Sequence, residues 1–350
     1  MKTQPDTGSW SPRILIVRLS AIGDVIQGLP VLNALRDRFP QAVLAWVVEE
    51  HAAELLRGHQ ALDELIALPR GWLRSLRTVR QSRSRLRAFE PEIAIDVQGL
   101  TKSAVAGWLS GARRRIGPGG SHGRELSKWF YTETVRATSQ HRVDCYLELL
   151  RPLGIESPDV RFEIPDHRAD RVAAKEIARQ AGCQRGFCLI NPGAGWPSKR
   201  WPPARFAAVA RHLGEDWGLP SMVIWAGAEG RAWADQVVAG SDEHARLAPE
   251  MSLARLAALG RRSRLYIGSD SGPLHLAAAV GTPCVGLYGP WPAEQHGPYG
   301  PGHVTVQKMV CRGSTRKRRN APARFMEAID VESVCEVCDR ILRRDASHAA

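Results

Sequence analysis

Short apolar runs alternate along the chain with stretches in which apolar positions recur at steps of three and four, the pattern of strands followed by helices. Arg13-Ile-Leu-Ile-Val-Arg-Leu19 reads as a buried strand, and Ser20-Ala-Ile-Gly-Asp24 leads from it into an apolar-periodic helix ending near Phe39. Pro30, inside that helix, predicts a kink or a restart, because proline brings no N–H to the helical ladder. Strand Ala42–Val48, a helix near His51–Arg57 and strand Ile93–Val97 follow. The stretch from Pro152 to Gly186 is the expected joint, with Pro152, Gly154, Pro158 and Pro165 ahead of a polar helix over Asp170–Ala181. The pattern then restarts: strand Phe187–Ile190, a Gly/Pro loop, a helix from about Pro203, and strand Ser221–Ala226. A helix near Ala232–Val238, strand Arg264–Ile267, another helix and strand Cys284–Tyr288 close the series. Strands alternating with helices predict α/β architecture, here two Rossmann-like domains facing across a cleft. The division is expected between residues 1–165 and 166–350, with the last helix packing back on the first domain.

The chain's 350 residues leave room for two domains of ordinary size. Hydrophobic residues at 44% and charged residues at 24% fit a folded soluble chain and exclude a disordered one. The first apolar run stops at Arg18, too soon for a signal peptide, and the long uncharged window Ser271–Ala293 is broken by Gly and Pro. Neither reads as a membrane span, so a cytoplasmic location is the expectation. Seven scattered cysteines fit reduced thiols; the pair Cys335 and Cys338 lacks a second pair for a zinc site, and its spacing fits one helix face. The 48 basic against 36 acidic residues give a net charge of +12, which favours an anionic partner: nucleic acid, a phosphorylated substrate or the cytoplasmic membrane leaflet.

Open α/β sheets bind ligands at their strands' carboxyl ends, and Asp24, Gln98, Lys199, Glu229 and Asp270 all fall at or just past such ends. In Asn191-Pro-Gly-Ala-Gly-Trp-Pro-Ser-Lys-Arg-Trp-Pro202, glycines permit close backbone approach and Lys199 and Arg200 bring charge for a phosphate. The loop matches neither a Walker motif nor a dinucleotide fingerprint, and an ordinary turn with surface cations reads equally well. In Gly268-Ser-Asp-Ser-Gly-Pro-Leu-His-Leu-Ala-Ala-Ala279, a strand meets a helix whose free N–H groups at Ser271, Gly272 and Leu274 could hold a pyrophosphate. Asp270 could instead cap that helix, and His275 could be a packed helix histidine. Asp24 could take a proton from an attacking hydroxyl or cap its own helix. Arg70, Arg74, Arg77, Arg80, Arg83 and Arg87 recur at helical steps as one cationic face, and Arg312-Gly-Ser-Thr-Arg-Lys-Arg-Arg319 forms a second basic run or a surface loop.

These segments together resemble the lipopolysaccharide heptosyltransferases of glycosyltransferase family nine, over nearly the whole chain. The resemblance rests on Leu15–Val25, Trp46-Val-Val-Glu-Glu50, Asp96-Val-Gln-Gly-Leu-Thr-Lys-Ser103, Lys199-Arg-Trp-Pro202, Met251-Ser-Leu253, Ser269–Ala279 and Leu287-Tyr-Gly-Pro290. It implies a GT-B fold with an acceptor-binding first domain and a second domain that binds an ADP-heptose donor. It also implies an inverting transfer with no cofactor and no bound metal. Carried over by position, Asp24 matches the general base, Lys199 the lysine that meets the donor phosphates, and Asp270 the aspartate that contacts the heptose. Gly193, Ala194 and Gly195 lie in the donor loop, where only backbone could meet a phosphate. Ser271, Gly272 and His275 match the diphosphate and sugar segment, Glu229 a ribose-binding glutamate, and Met251 the position at adenine. Gln98, Lys102, Arg74, Arg77 and Arg124 fall in the region that holds the acceptor. The implied partners are the donor, a Kdo-bearing lipid A acceptor and the cytoplasmic face of the inner membrane.

Such a transfer passes through an oxocarbenium-like sugar, with Asp24 receiving the hydroxyl proton and Lys199 and the helix amides stabilising the leaving diphosphate. Closure of the domains would exclude water. A family relative using another nucleotide sugar or a non-lipid acceptor fits the same motifs. The opposing class, a nucleic-acid-binding module, has only the charge and the arginine runs behind it and lacks an aromatic RNA-binding signature. A nicotinamide enzyme lacks its glycine fingerprint.

Overall fold

The computed structural model describes residues 11–120 and 126–349. Two compact units divide the chain, Met1–Pro165 and Asp166–Ala350. In the first, the strands are β1 (Arg13–Val17), β2 (Val43–Glu49), β3 (Glu64–Leu68), β4 (Ile93–Asp96), β5 (Arg114–Pro118) and β6 (Glu133–Val135). The helices are α1 (Ile22–Arg38), α2 (Leu76–Ala88), α3 (Thr101–Leu109) and α4 (Arg142–Leu147). All six strands run parallel in the order β3-β2-β1-β4-β5-β6. The centre of this sheet is covered on both faces, which is why Ile14 to Val17 form an unbroken apolar run with no exposure at all.

The second unit repeats the arrangement. Its strands are β7 (Cys188–Asn191), β8 (Ser221–Val223), β9 (Ala245–Leu247), β10 (Leu265–Ser269), β11 (Cys284–Tyr288) and β12 (Val304–Gln307). They too are parallel, in the order β12-β11-β10-β7-β8-β9. Helices α5 (Arg168–Gln180), α6 (Pro203–Trp217), α7 (Gly227–Ala239), α8 (Leu253–Gly260) and α9 (Gly272–Ala279) connect or flank them. The chain ends through α10 (Ala293–His296), α11 (Thr315–Arg319), α12 (Arg324–Glu327) and α13 (Val331–Ala349). In each sheet the strand order reverses once, between β1 and β4 and between β7 and β10, and such reversals open a crevice for a ligand at the carboxyl ends.

Several local features go beyond the sequence reading or against it. Helix α1 continues without a restart through Pro30, which lies buried within it; the missing N–H removes one ladder bond there. The six arginines do not share one helix. Arg74 ends a separate turn over Trp72–Arg74, and Ser75, whose hydroxyl accepts from the Thr78 N–H at 3.1 Å, starts α2 afresh. Only Arg77, Arg80, Arg83 and Arg87 of the series lie on α2, exposed where its Ser82 and Leu86 are buried. The last helix lays Val334, Val337, Cys338, Ile341 and Leu342 into the core of the second unit. Finally, five strands join the seven read from the sequence: β3, β5, β6, β9 and β12.

Candidate active site

In the first unit, three of the expected residues converge on the segment that joins β1 to α1. Asp24, in the first turn of α1, accepts the Ala21 N–H at 3.2 Å, so it does help to close the helix end. The same carboxylate oxygen lies 2.8 Å from Nη2 of Arg18. Arg18 is buried: Nη1 donates to the Val97 carbonyl at 2.8 Å, and its guanidinium lies 5.1 Å from the centroid of the Tyr146 ring. Burial disfavours its charge, yet Asp24 and the neighbouring groups more than offset this and hold its pKa above the ordinary value. Gln98, just past β4, accepts from the Leu19 N–H at 2.9 Å. Lys102, in the first turn of α3, donates to Ser20 Oγ at 3.0 Å and to Glu49 Oε1 at 2.9 Å.

Behind Gln98 stands Asp96, the last residue of β4. Its carboxylate accepts from the Gln98 and Gly99 N–H groups, from Ser103 Oγ at 2.8 Å and from the Tyr131 hydroxyl at 2.6 Å. Burial nevertheless pushes its pKa up. Arg74 and Arg77, both exposed, leave the carboxyl end of β3, two strand spacings or roughly 10 Å from β1. Arg124 lies outside the described residues.

In the second unit, the loops after β7 and β10 meet at the reversal. The Lys199 ammonium pairs with Asp270 Oδ2, both side chains being largely buried. His275, one turn into α9, brings Nε2 to 3.5 Å from the other oxygen of Asp270. Burial pushes the Asp270 carboxyl up, but Lys199, His275 and His296 prevail and hold it below the ordinary carboxylate range. Asp270 therefore does not cap α9. Ser271 occupies that position without a side-chain bond, which leaves the first-turn N–H groups at Gly272 and beyond available to an anion. Asn191 orders the loop after β7, accepting the Gly193 N–H at 3.1 Å and donating to Ser271 Oγ at 3.3 Å. Past it, Ala194 and Gly195 offer only backbone, and a side chain at Gly195 would meet open space.

Glu229, in the first turn of α7, is held two-pronged by Arg200, with Nη2 to Oε2 at 2.7 Å. That pairing keeps its carboxyl below the ordinary range. Met251 follows β9 at the same sheet edge. The Trp225 indole ties the neighbouring loops by donating to the Ala248 carbonyl at 2.8 Å. The carboxyl edge from β9 to β10 thus carries Met251, Glu229, the Gly193–Lys199 loop and Asp270 in succession.

Arg18, Glu49, Arg200 as the partner of Glu229, and Trp291, whose ring lies 4.6 Å from Lys199 Nζ, were absent from the sequence reading. A charged residue inside the otherwise apolar run Ile14–Leu19 was the available signal for Arg18. Cys335 and Cys338 sit on α13, where burial pushes the Cys335 thiol up to about 11 and Cys338 well above its ordinary value. Among the described residues, no three His, Cys, Asp or Glu side chains cluster as a metal site, and no helix is long and apolar enough to cross a membrane.

Residues 79–322 match the model of glycosyltransferase family 9 (heptosyltransferase). Lipopolysaccharide heptosyltransferase 1 of Pseudomonas aeruginosa is 32% identical over 304 residues, covering 83% of this chain and 82% of the relative. The crystal structure of the family 9 glycosyltransferase from Veillonella parvula superimposes with a TM-score of 0.82 at 26% identity, covering 98% of this chain and 99% of that one. E. coli heptosyltransferase WaaC with ADP gives a TM-score of 0.74 at 24% identity, covering 94% and 99%, and shares the GT-B fold. With both sheets, their order and most of its length accounted for, the chain belongs to glycosyltransferase family 9, the heptosyltransferase family, and is a glycosyltransferase.

Proposed function

We propose that this protein transfers heptose from ADP-L-glycero-D-manno-heptose, with inversion, to the Kdo-bearing inner core of lipopolysaccharide. The observation that carries the reading is the Lys199–Asp270–His275 group beside the open first turn of α9, a built anion site at the sheet reversal. The name of the Pseudomonas aeruginosa relative supports the lipopolysaccharide acceptor.

In this reading the donor lies along the edge from β9 to β10, with adenine at the Met251 backbone, ribose at Glu229, and diphosphate between the Gly193–Gly195 backbone and the Ser271 and Gly272 N–H groups. Glu229 must then exchange Arg200 for the ribose hydroxyls or share it. Lys199 meets a phosphate oxygen of the leaving diphosphate, and Asp270 and His275 face the sugar. Such preorganised charge needs no rearrangement as the glycosidic bond breaks, and losing one donor of this kind typically costs about 3–4 kcal/mol of barrier. Asp24 accepts the proton of the attacking acceptor hydroxyl and is aimed by Arg18. Charge stabilisation is assigned to side chains and helix amides, so the reading needs no metal.

Gln98, Lys102, Arg74, Arg77 and Arg124 would hold the acidic acceptor. Exposed Leu73 and Leu76, at 43% and 78%, adjoin Arg74 and Arg77, an apolar and cationic mixture suited to the cytoplasmic face of the inner membrane. A relative of the family using another nucleotide sugar remains the second reading, and a donor panel separates the two.

The test is Asp24→Asn. Binding of ADP should stay within about twofold of wild type, while turnover falls by at least about 100-fold, the usual contribution of a positioned base. Turnover close to wild type would remove Asp24 from the reaction.

A further inference from the structure

The basic run Arg312–Arg319 is the one motif of the sequence that the transfer reaction leaves unused. In the structure it is no free loop. Its C-terminal half forms α11, started by Ser314, whose hydroxyl accepts from the Lys317 N–H at 3.3 Å. Arg318 Nε donates to the Cys311 carbonyl at 3.1 Å. Its guanidinium carbon lies 5.6 Å from the centroid of the Trp291 ring, the indole that Lys199 Nζ approaches at 4.6 Å. Lys199 and Arg318 thus bracket one ring and stand no more than about 10 Å apart. Arg319 lies 4.2 Å from the centroid of Trp196, which belongs to the donor loop itself. No acidic partner of Arg318 or Arg319 occurs among the described ion pairs.

Two further facts point to a ligand here. First, the local charge is unbalanced in a specific way. Lys199 is already paired with Asp270, so it brings little net positive charge to a diphosphate, whereas Arg318 and Arg319 bring theirs in full. Second, Trp291 is 9% exposed and its Nε1–H has no partner, while Ser198 and Ser269, flanking Lys199 and Asp270, also bury unpartnered hydroxyls. Buried donors without acceptors are rare, and each calls for a partner such as an ion, a water or a ligand.

We propose that Arg318 and Arg319, backed by Trp291 and Trp196, form a second cationic edge of the nucleotide-sugar site that binds the donor diphosphate. The inference rests on the donor reading above and deepens it: α11 supplies the positive charge that the Lys199–Asp270 pair does not. Guanidinium groups suit this task, since they meet phosphate oxygens two at a time and stack on indoles while doing so.

The experiment measures dissociation constants for ADP and for adenosine, on the full chain, with Arg318→Gln, Arg319→Gln and the double variant, and with Lys317→Gln as a control of equal charge change. Adenosine keeps the base and ribose contacts and lacks the diphosphate. The expected result is ADP affinity reduced about tenfold in each single variant and more in the double, adenosine affinity within about twofold, and Lys317→Gln close to wild type. Arg318→Lys should recover part of the loss, because charge returns without the fork. ADP affinity unchanged in the double variant overturns the proposal while leaving the donor reading intact. Equal loss of ADP and adenosine overturns it too, since that is the mark of a merely structural role. Wild-type protein that binds neither ligand overturns the donor reading itself.

Discussion

In the proposed reaction Asp24 is the proton acceptor, and its surroundings suit that role. Its side chain is 39% exposed, enough to meet a hydroxyl, yet one oxygen is fixed by Arg18, itself 5% exposed and anchored to the Val97 carbonyl. The Ser-Ala-Ile-Gly-Asp motif revealed the acid; its cationic partner lies six residues earlier and was hidden in a run read only as strand. Lys199 and Asp270 were each legible from their loops, but not as a pair, because 71 residues separate them and only the β7–β10 register brings them together. Away from the site, His303 is partly buried with an unpartnered Nδ1, and burial lowers its pKa to about 4. The folded state therefore refuses a proton that the unfolded chain takes up near pH 6.5. Stability should be unaffected above about pH 6.5, fall by on the order of 3 kcal/mol as pH drops towards 4, and level off below that. His303→Gln should flatten this part of the profile in thermal melts between pH 7 and 4, and an unchanged slope would refute the assignment.

At the scale of elements, the sequence was most informative where burial is two-sided. Strands β1, β4, β7, β10 and β11 are apolar but for an end residue in four of them (Arg13, Asp96, Asn191 and Ser269) and were read directly. The edge strands were not, because Glu133-Thr-Val135, Ala245-Arg-Leu247 and Val304-Thr-Val-Gln307 bury few side chains and alternate with polar residues, like loops. Arginine spacing misled for a related reason: steps of three and four continue across Ser75, and only the capping bond there shows that the helix starts late. The reversal between β7 and β10 depends on Gly268, paired in register with Asn191. A Cβ at Gly268 would stand 3.1 Å from the Asn191 carbonyl oxygen and from the Tyr266 ring. Backbone inside a parallel ladder yields poorly, so Gly268→Ala should destabilise the second unit by about 1–3 kcal/mol and weaken ADP binding, since Asn191 orders the donor loop. A melting temperature and ADP affinity equal to wild type would show that the two strands can part without consequence.

For the whole molecule, the division into two units was visible in the Pro/Gly-rich joint and in the restart of the strand–helix pattern, and each unit has its own apolar core. The first gathers Leu15, Val47, Trp72, Leu86 and Phe89, and the second Trp201, Phe206, Ile267 and Leu342. Two separate cores predict two unfolding transitions in calorimetry. ADP at about 100 times its dissociation constant should raise only the transition of the second unit, by about 2.7 kcal/mol. A single transition would show that the two cores do not unfold separately, and an equal shift of two transitions would contradict the assignment of the donor to the second unit alone.

The central claim is heptosyl transfer, and it is tested most directly by ADP release from ADP-heptose by the purified full-length chain, with and without a Kdo-bearing lipid A acceptor. The account predicts release that requires the acceptor and disappears in Asp24→Asn. Folded wild-type protein that binds ADP yet releases none when both substrates are present would contradict it, leaving the family and the fold standing while excluding this donor and acceptor as its pair.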